Sequence, residues 1–334
     1  MRKFGVLNSF YRAFRIIFMI SLFVSLIFSS LRELNGQRIK DLPAVKPVLD
    51  QKLRDPSICI GPDGFYYLAG TTANNPAPGS DTTGWWHKNE GIRIWKSMDL
   101  KKWEPLGLVW TFEKDATWAK EFKKINGILK RALWAPEIFY LNGTFWLTYS
   151  MNYRGCGLLK STTGKPEGPY MDVKTDGPLT GNIDASLFRD DDGSVYFVWQ
   201  NGMIAKMKDD MSGLAEEPRH LKPANHKQVG FEGAFITKHK GKYILICAEF
   251  NIEGEKRTYD CMAAISDNLY GPYGDRFLAI PSGGHNMIFK DKKGKWMSTI
   301  FGSDDFCVLS ETPGILPIKF SPDAKFKPLM KTQK

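Results

Sequence analysis

The sequence predicts an all-β fold, a five-bladed β-propeller that forms a single domain after an N-terminal signal segment. Three observations carry this. A unit made of a turn followed by an aromatic-aliphatic strand recurs five times in the 334 residues. The composition, with 31 Gly, 19 Pro and 13% aromatic residues, favours a turn-rich β protein or a carbohydrate binder over a helix bundle. No long amphipathic helical stretch follows the first 36 residues.

The first element is the leader, residues 1–36. Arg15 and Arg32 bracket Ile16–Leu31, an uncharged run of 16 residues rich in Ile, Phe and Leu. A basic start, a short apolar run and the small residues Ser29 and Ser30 fit a secretory signal. The alternative is a membrane anchor, for which 16 residues interrupted by Ser21 and Ser25 is a short span. Export to the periplasm or the outside is expected, with membrane attachment only where the segment stays uncleaved. No cysteine precedes Cys59, so no lipid-bearing cysteine lies near the leader.

Residues 37–334 then divide into five units: DGFYYLAGTT after Asp63, NGTFWLTYSM after Asn142, DGSVYFVWQN after Asp192, KGKYILICAE after Lys240 and KGKWMSTIFG after Lys293. Each is a turn signal feeding a strand. Their glycines, Gly64, Gly143, Gly193, Gly241 and Gly294, are spaced 79, 50, 48 and 53 residues apart. A four-stranded propeller blade repeats every ~40–50 residues. The units also share a second half, STTGKPEGPY at Ser161–Tyr170 and SDNLYGPY at Ser266–Tyr273, with SMDLKKW at Ser97–Trp103 in the matching place.

Nine residues before the five glycines stand Asp55, Trp134, Asp184, Glu232 and His285. If the units are blades, these residues begin the innermost strands and converge on one axis. Delivering three carboxylates there is costly for folding alone, because burying an unpaired carboxylate costs several kcal/mol. Two facing carboxylic acids are the minimum apparatus of glycoside hydrolysis, and a third acid nearby raises the proton donor's pKa. Trp134 offers a flat apolar face to a sugar.

The net charge of +10 excludes little: residues 1–36 account for +4, and the remainder is a solvated surface rather than a nucleic-acid footprint. Cys59, Cys156, Cys247, Cys261 and Cys307 lack CxxC or metal-ligand spacing and read as structural, with Cys59, Cys247 and Cys307 in apolar strand-like runs. Asp190, Asp191 and Asp192 read as a charged hairpin turn.

Five segments in order, LRDPSI, LWAPEI, IDASLF, FEGAFI and GGHNMIF, resemble glycoside hydrolase family 43 over about residues 45–310. The resemblance implies an inverting hydrolase with Asp55 as general base, Asp184 as the acid that orients and tunes the proton donor, and Glu232 as general acid. It implies a hydrolase of plant-type polysaccharides, α-L-arabinofuranoside first and β-D-xyloside next, and the long first interval adds the expectation of an exo-acting enzyme on terminal or side-chain sugars. A galactose- or galactofuranose-releasing member and a non-catalytic carbohydrate-binding propeller are the alternatives. A retaining fructan-active propeller also carries RDP, but needs its nucleophile in an Asn-Asp-Pro-Asn-Gly-like segment, which Arg-Asp-Pro-Ser is not. The family more often has Asp at Glu137 and Pro at Ala185 and Ala234, which bears on subfamily and substrate; Glu137 reads as an acid holding Trp134 or a neighbouring strand.

Substrate contacts are expected from Trp134, Phe231, Trp85, Trp86 and His285. His285 has three readings: a water-mediated ligand of a structural calcium in the central channel, a structural histidine, or a direct sugar contact. No cofactor is required on this reading, and the partners expected are an oligo- or polysaccharide and no nucleic acid, the protein acting as a monomer. The 79-residue first interval places about 25–30 extra residues in the first unit by repeat arithmetic. With Trp85 and Trp86 in a loop over the axis, and Trp95 and Trp103 in ordinary strands, that insertion is expected to wall a pocket for one terminal sugar.

Overall fold

The computed structural model describes residues 45–73, 85–120, 123–125, 128–151 and 154–329; the expected leader lies outside them. Five four-stranded antiparallel meanders follow one another along the chain, one per repeat unit, as blades of a propeller. Blade 1 is β1 (Leu53–Ile60), β2 (Tyr66–Thr72), β3 (Gly91–Ser97) and β4 (Glu104–Thr111). A 3-10 turn, Trp85–His87, precedes β3; a second, Trp118–Lys120, and the hairpin of β5 (Lys123–Ile125) and β6 (Ile128–Lys130) follow β4. Blade 2 is β7 (Leu133–Leu141), β8 (Thr144–Met151), β9 (Gly155–Ser161) and β10 (Tyr170–Asp172). Blade 3 is β11 (Ser186–Arg189), β12 (Val195–Trp199), β13 (Met203–Lys206) and β14 (Arg219–His220). Blade 4 is β15 (Glu232–His239), β16 (Lys242–Glu253), β17 (Lys256–Ser266) and β18 (Phe277–Ile280). Blade 5 is β19 (Ile288–Lys290), β20 (Trp296–Ile300), β21 (Gly314–Phe320) and β22 (Phe326–Pro328).

The second strands are buried along their whole length, as in β2, β8 and β12, because each blade is covered on both faces by its neighbours. The apolar core therefore lies between blades. Trp110, Tyr149 and Phe145 fill one such layer, Trp146, Phe197 and Trp199 the next, and Phe188, Tyr196 and Leu245 a third. The chain closes on itself: the Val48 and Leu53 amides donate to the carbonyls of Pro313 and Glu311 at 2.8 and 2.9 Å, and Arg54 pairs with Glu311 at 3.0 Å.

Several sequence expectations can be placed. The shared GPY segments both end in a buried tyrosine, Tyr170 and Tyr273, whose hydroxyls donate to the carbonyls of Pro166 and Leu269. Asp190 and Asp191 do lie at a hairpin turn, where Lys238 pairs with both at 2.7 and 2.8 Å. The cysteines are all free thiols, but Cys307 sits in a turn and not in a strand. The extra length of the first interval is split in two, before β3 and after β4. Trp103 precedes β4 in a turn, and Trp118 stacks on Tyr149 with ring centroids 5.8 Å apart.

Candidate active site

A pocket of about 250 Å³ opens at the axis, lined by Arg54, Asp55, Thr71, Trp86, Trp134, Ile183, Asp184, Glu232, Phe250 and His285. The three expected acids, Trp134, Trp86 and His285 thus come together. Phe231 does not: it is 54% exposed, outside the lining, with its ring edge-on to Phe250. Trp85 opens the 3-10 turn beside Trp86, and its side chain lies outside what is described.

The nine-residue step conceals a shift of register. In blades 1, 3 and 5 the first hairpin closes over five residues, since Ile60 pairs with Tyr66, Arg189 with Val195 and Lys290 with Trp296. In blades 2 and 4 it closes over two, since Leu141 pairs with Thr144 and His239 with Lys242. Matched by register, Asp55, Asp184 and His285 are equivalent to Ala135 and Gly233, and Trp134 and Glu232 stand one residue earlier. Irregularities at Arg54/Ser57, Trp134/Glu137 and Glu232/Phe235 break the strict alternation of faces. Both residues of a pair, Arg54 with Asp55 and Ile183 with Asp184, can therefore line the same pocket.

The break has a backbone signature. Asp55, Ala135, Asp184 and Gly233 have φ of 54°, 43°, 59° and 65°, in the left-handed region. Asp tolerates it better than most residues, and such a conformation persists only where its surroundings impose it. Each neighbouring blade supplies that hold. The Ala135 amide donates to Thr71 Oγ1 at 2.7 Å, the Asp184 amide to Ser150 Oγ at 2.6 Å, and the Ala234 amide to the Gln200 carbonyl at 3.0 Å. At Gly233 a Cβ would fall 2.7 Å from the His285 ring, so this position admits no side chain.

His285 is the hub. It is buried, with Nδ1 at 3.5 Å from Asp55 Oδ1 and 3.7 Å from Asp184 Oδ2, and Nε2 at 3.7 Å from Glu137 Oε1. Burial alone would lower its pKa, but Asp184, Glu137 and Asp55 outweigh that and hold it at about 10. The three acid side chains that face the ring thus favour its imidazolium form. Glu137 therefore faces His285 and Ser186, the first residue of the neighbouring strand β11, and not Trp134. Its own pKa is raised, chiefly by burial, with Ser186 and His285 acting against that.

The three acids differ in surroundings. Asp55 Oδ2 accepts the Thr71 hydroxyl proton at 2.7 Å, and that hydroxyl is itself oriented by the Ala135 amide. Glu232 Oε1 accepts from the Tyr259 hydroxyl at 2.8 Å. Burial raises Glu232, while Tyr259 and His285 act against it and Asp55 adds to it. Asp184 is also raised, first by burial and further by Glu232, Asp55 and Glu137, with His285 opposing. Glu232 and Asp184, both pushed upward, can hold a proton for donation, while Thr71 orients Asp55 across the pocket.

Aromatic walls complete the pocket. The Trp134 indole N–H donates to the Trp86 carbonyl at 2.8 Å, which ties the 3-10 turn to blade 2. The Arg54 guanidinium lies 4.5 Å from the Trp86 ring centroid and 5.4 Å from that of Phe301. Phe250 stacks on Tyr259 at 4.1 Å. Sequence reasoning missed Arg54, Thr71, Phe250 and Tyr259. For the last two a signal existed: KYILICAEFNIE and KRTYDCMAAIS form one hairpin whose strands outrun β15 and reach over the axis.

For the calcium reading of His285, both ring nitrogens are turned toward acid side chains, Nδ1 toward Asp55 and Asp184 and Nε2 toward Glu137, so neither is directed at an open position for direct ligation. Among the described residues no group of three or more His, Cys, Asp or Glu side chains is arranged to hold a metal ion.

Comparison with known proteins bears on the fold and the family. The chain is 29% identical over 206 residues to a β-D-galactofuranosidase, XynD, of Aspergillus niger, covering 52% of this chain and 58% of that one. It is 28% identical over 248 residues to a putative β-xylosidase of Escherichia coli, covering 68% of this chain and 41% of that one. The chain thus spans about half the length of these curated relatives. Among solved structures, an α-L-arabinofuranosidase of Clostridium thermocellum superposes with a TM-score of 0.65 at 22% identity, over 83% of this chain and 93% of that one. The family model of glycosyl hydrolases family 43 matches residues 44–326, nearly all of the five blades, and the chain belongs to that family.

Proposed function

We propose that the protein is an inverting exo-glycosidase that releases terminal or side-chain sugars from plant-type polysaccharides, α-L-arabinofuranose first and β-D-xylose next. The observation that carries this is a pocket of about 250 Å³ with acids from three blades at its base and two tryptophans in its walls. That volume lies just below the range of sites for drug-sized ligands and suits one sugar unit.

In the proposed step a water molecule sits between Asp55 and the anomeric carbon. Asp55 takes the water proton while the oxygen attacks, and Thr71 keeps Asp55 Oδ2 turned as an acceptor. Glu232 donates its proton to the glycosidic oxygen as that bond breaks on the opposite side. Asp184 and Glu232 each make ionisation of the other harder, so an Asp184 carboxylate beside Glu232 favours the protonated form of Glu232. His285 offsets the charge of Asp55, Asp184 and Glu137, the role a central cation would otherwise fill, so activity is read as independent of metal. We read the leader as an export signal, which would bring the enzyme to a polymer outside the cell.

Turnover of the 4-nitrophenyl derivatives of α-L-arabinofuranose, β-D-xylose and β-D-galactofuranose tests the sugar, and proton NMR of the first-formed anomer tests the stereochemistry. Inversion requires carboxyls about 6.5–9.5 Å apart. The expected result is an inverted arabinose; a retained anomer refutes the mechanism, and no turnover of any of the three refutes the glycosidase.

A further inference from the structure

Blade 4 carries a hairpin that outruns its own sheet. The β15 and β18 ladders end at Ala248 and Cys261, yet β16 and β17 stay paired beyond them, from Glu249 opposite Asp260 to Glu253 opposite Lys256. Blade 5 holds this overhang from the side. The Tyr259 and Arg257 amides donate to Asp304 Oδ2 and Asp305 Oδ2 at 3.1 and 2.7 Å, and the Asp305 amide donates to the Arg257 carbonyl at 3.1 Å. A hairpin tied in this way is a fixed wall.

Its ladder is unbroken, so Phe250 and Ile252, two residues apart, share one face, and Phe250 lines the axial pocket. Phe231 sets its ring edge-on to Phe250, with centroids 6.2 Å apart. Phe231, Phe250 and Ile252 are 54, 37 and 76% exposed. Apolar side chains scattered singly over a surface need no explanation, but a ridge of three that starts inside a pocket is a contact surface. Two residues of strand cover about 7 Å, so the ridge continues well beyond the pocket mouth.

The ridge also lies on the proton donor's side. Phe250 stacks on Tyr259 at 4.1 Å, and Tyr259 donates to Glu232. If Glu232 protonates the glycosidic oxygen, the group that departs with that oxygen sits beside Glu232 and meets Phe250 first. The three side chains offer C–H surface and no hydrogen bonds. A pyranose chair with equatorial hydroxyls presents matching axial C–H groups on its ring faces, and a furanose ring has no such face.

We propose that Phe231, Phe250 and Ile252 receive the leaving group, and that this group is a β-1,4-linked pyranose backbone from which the pocket removes a side branch, in preference to a furanose chain trimmed from its end. The proposal rests on the glycosidase reading of the axial pocket.

The test compares kcat/KM on three substrates: a xylo-oligosaccharide bearing one α-L-arabinofuranosyl branch, α-1,5-linked arabinotriose, and α-L-arabinofuranosyl fluoride, whose leaving group is a single atom and touches no ridge. Wild type should prefer the branched xylo-oligosaccharide to arabinotriose. Phe231→Ser/Ile252→Ser should lower the ratio of branched oligosaccharide to fluoride about tenfold, as expected for losing part of the apolar burial of two side chains. Phe231→Leu/Ile252→Leu, which keeps the C–H surface, should retain most of the wild-type ratio. An unchanged ratio in the serine variant overturns the proposal, as does a wild type that turns over arabinotriose equally well. So does a wild-type dimer that the serine variant splits, since a second copy would then cover the ridge. A fluoride that wild type leaves intact rejects the glycosidase reading itself, and the ridge with it; an active fluoride with an unmoved ratio rejects the ridge alone.

Discussion

Removing one hydroxyl, in Tyr259→Phe, isolates what the proton donor owes to its neighbour. The ring of Tyr259 is clamped by Phe250 at 4.1 Å and Phe301 at 6.0 Å, and is 1% exposed, so the phenyl ring should stay in place. The hydroxyl donates to Glu232 Oε1 at 2.8 Å. A hydrogen bond to a charged group contributes about 1.5–3 kcal/mol, and one between neutral groups about 0.5–1.5. The hydroxyl therefore favours ionised over protonated Glu232 by about 1–1.5 kcal/mol, close to one pKa unit. The sign follows: without the bond, ionisation of Glu232 is harder, and its proton is kept to higher pH. The alkaline limb of kcat/KM should move up by about one unit, measured on a substrate whose leaving group needs protonation. A limb that stays in place, or moves down, refutes either Glu232 as the acid or the hydrogen bond as a determinant of its pKa.

Asp184→Asn should move the same limb the other way, because a negative charge that makes ionisation of Glu232 harder is gone; an unmoved limb would leave Asp184 a positioning role alone. Asp55→Asn should abolish turnover even with an activated aryl leaving group, whereas Glu232→Gln should spare that substrate and lose about 10²–10⁴-fold on natural linkages; equal losses on both substrates contradict the division of roles. His285 has a folded pKa of about 10 against an ordinary 6.5, so its contribution to stability is complete below 6.5 and is lost as pH rises through about 10. At 1.36 kcal/mol per unit this is of order 5 kcal/mol for a fully buried ring, so His285→Asn should lower Tm at pH 6.5 and lack the wild-type decline between pH 6.5 and 10; parallel Tm–pH curves refute the imidazolium.

The ring of acids was legible in the sequence because propeller blades repeat, and a turn glycine is a reliable origin from which to count. The count was one residue off in two blades because N-G and K-G close a hairpin over two residues, whereas G-P-D-G-F, D-D-D-G-S and D-K-K-G-K close it over five. That difference was itself readable, since loop length selects turn type. Phe231 illustrates the opposite limit. It adjoins Glu232 in sequence, yet strand geometry sends neighbouring side chains apart, and Phe250 from the overlong hairpin takes the wall instead.

What no local pattern could give is the relation between blades. Thr71 and Tyr259 orient Asp55 and Glu232, and each lies in the same blade as its acid, on the second and third strand respectively. Sequence distance within one blade is short enough for such pairs to be sought. His285, by contrast, meets Asp55, Glu137 and Asp184 from three other blades, 230, 148 and 101 residues away in the chain. The spacing between base and acid is likewise fixed by the radius of the ring and the backbone break at the start of each inner strand. Inversion or retention depends on that spacing, so stereochemistry is a property of how the blades pack and not of the motifs that mark the acids. A substitution that changes blade packing without touching an acid, such as Gly233→Ala, which pushes a methyl group into the His285 ring, should therefore alter the reaction as surely as loss of the acid next to it.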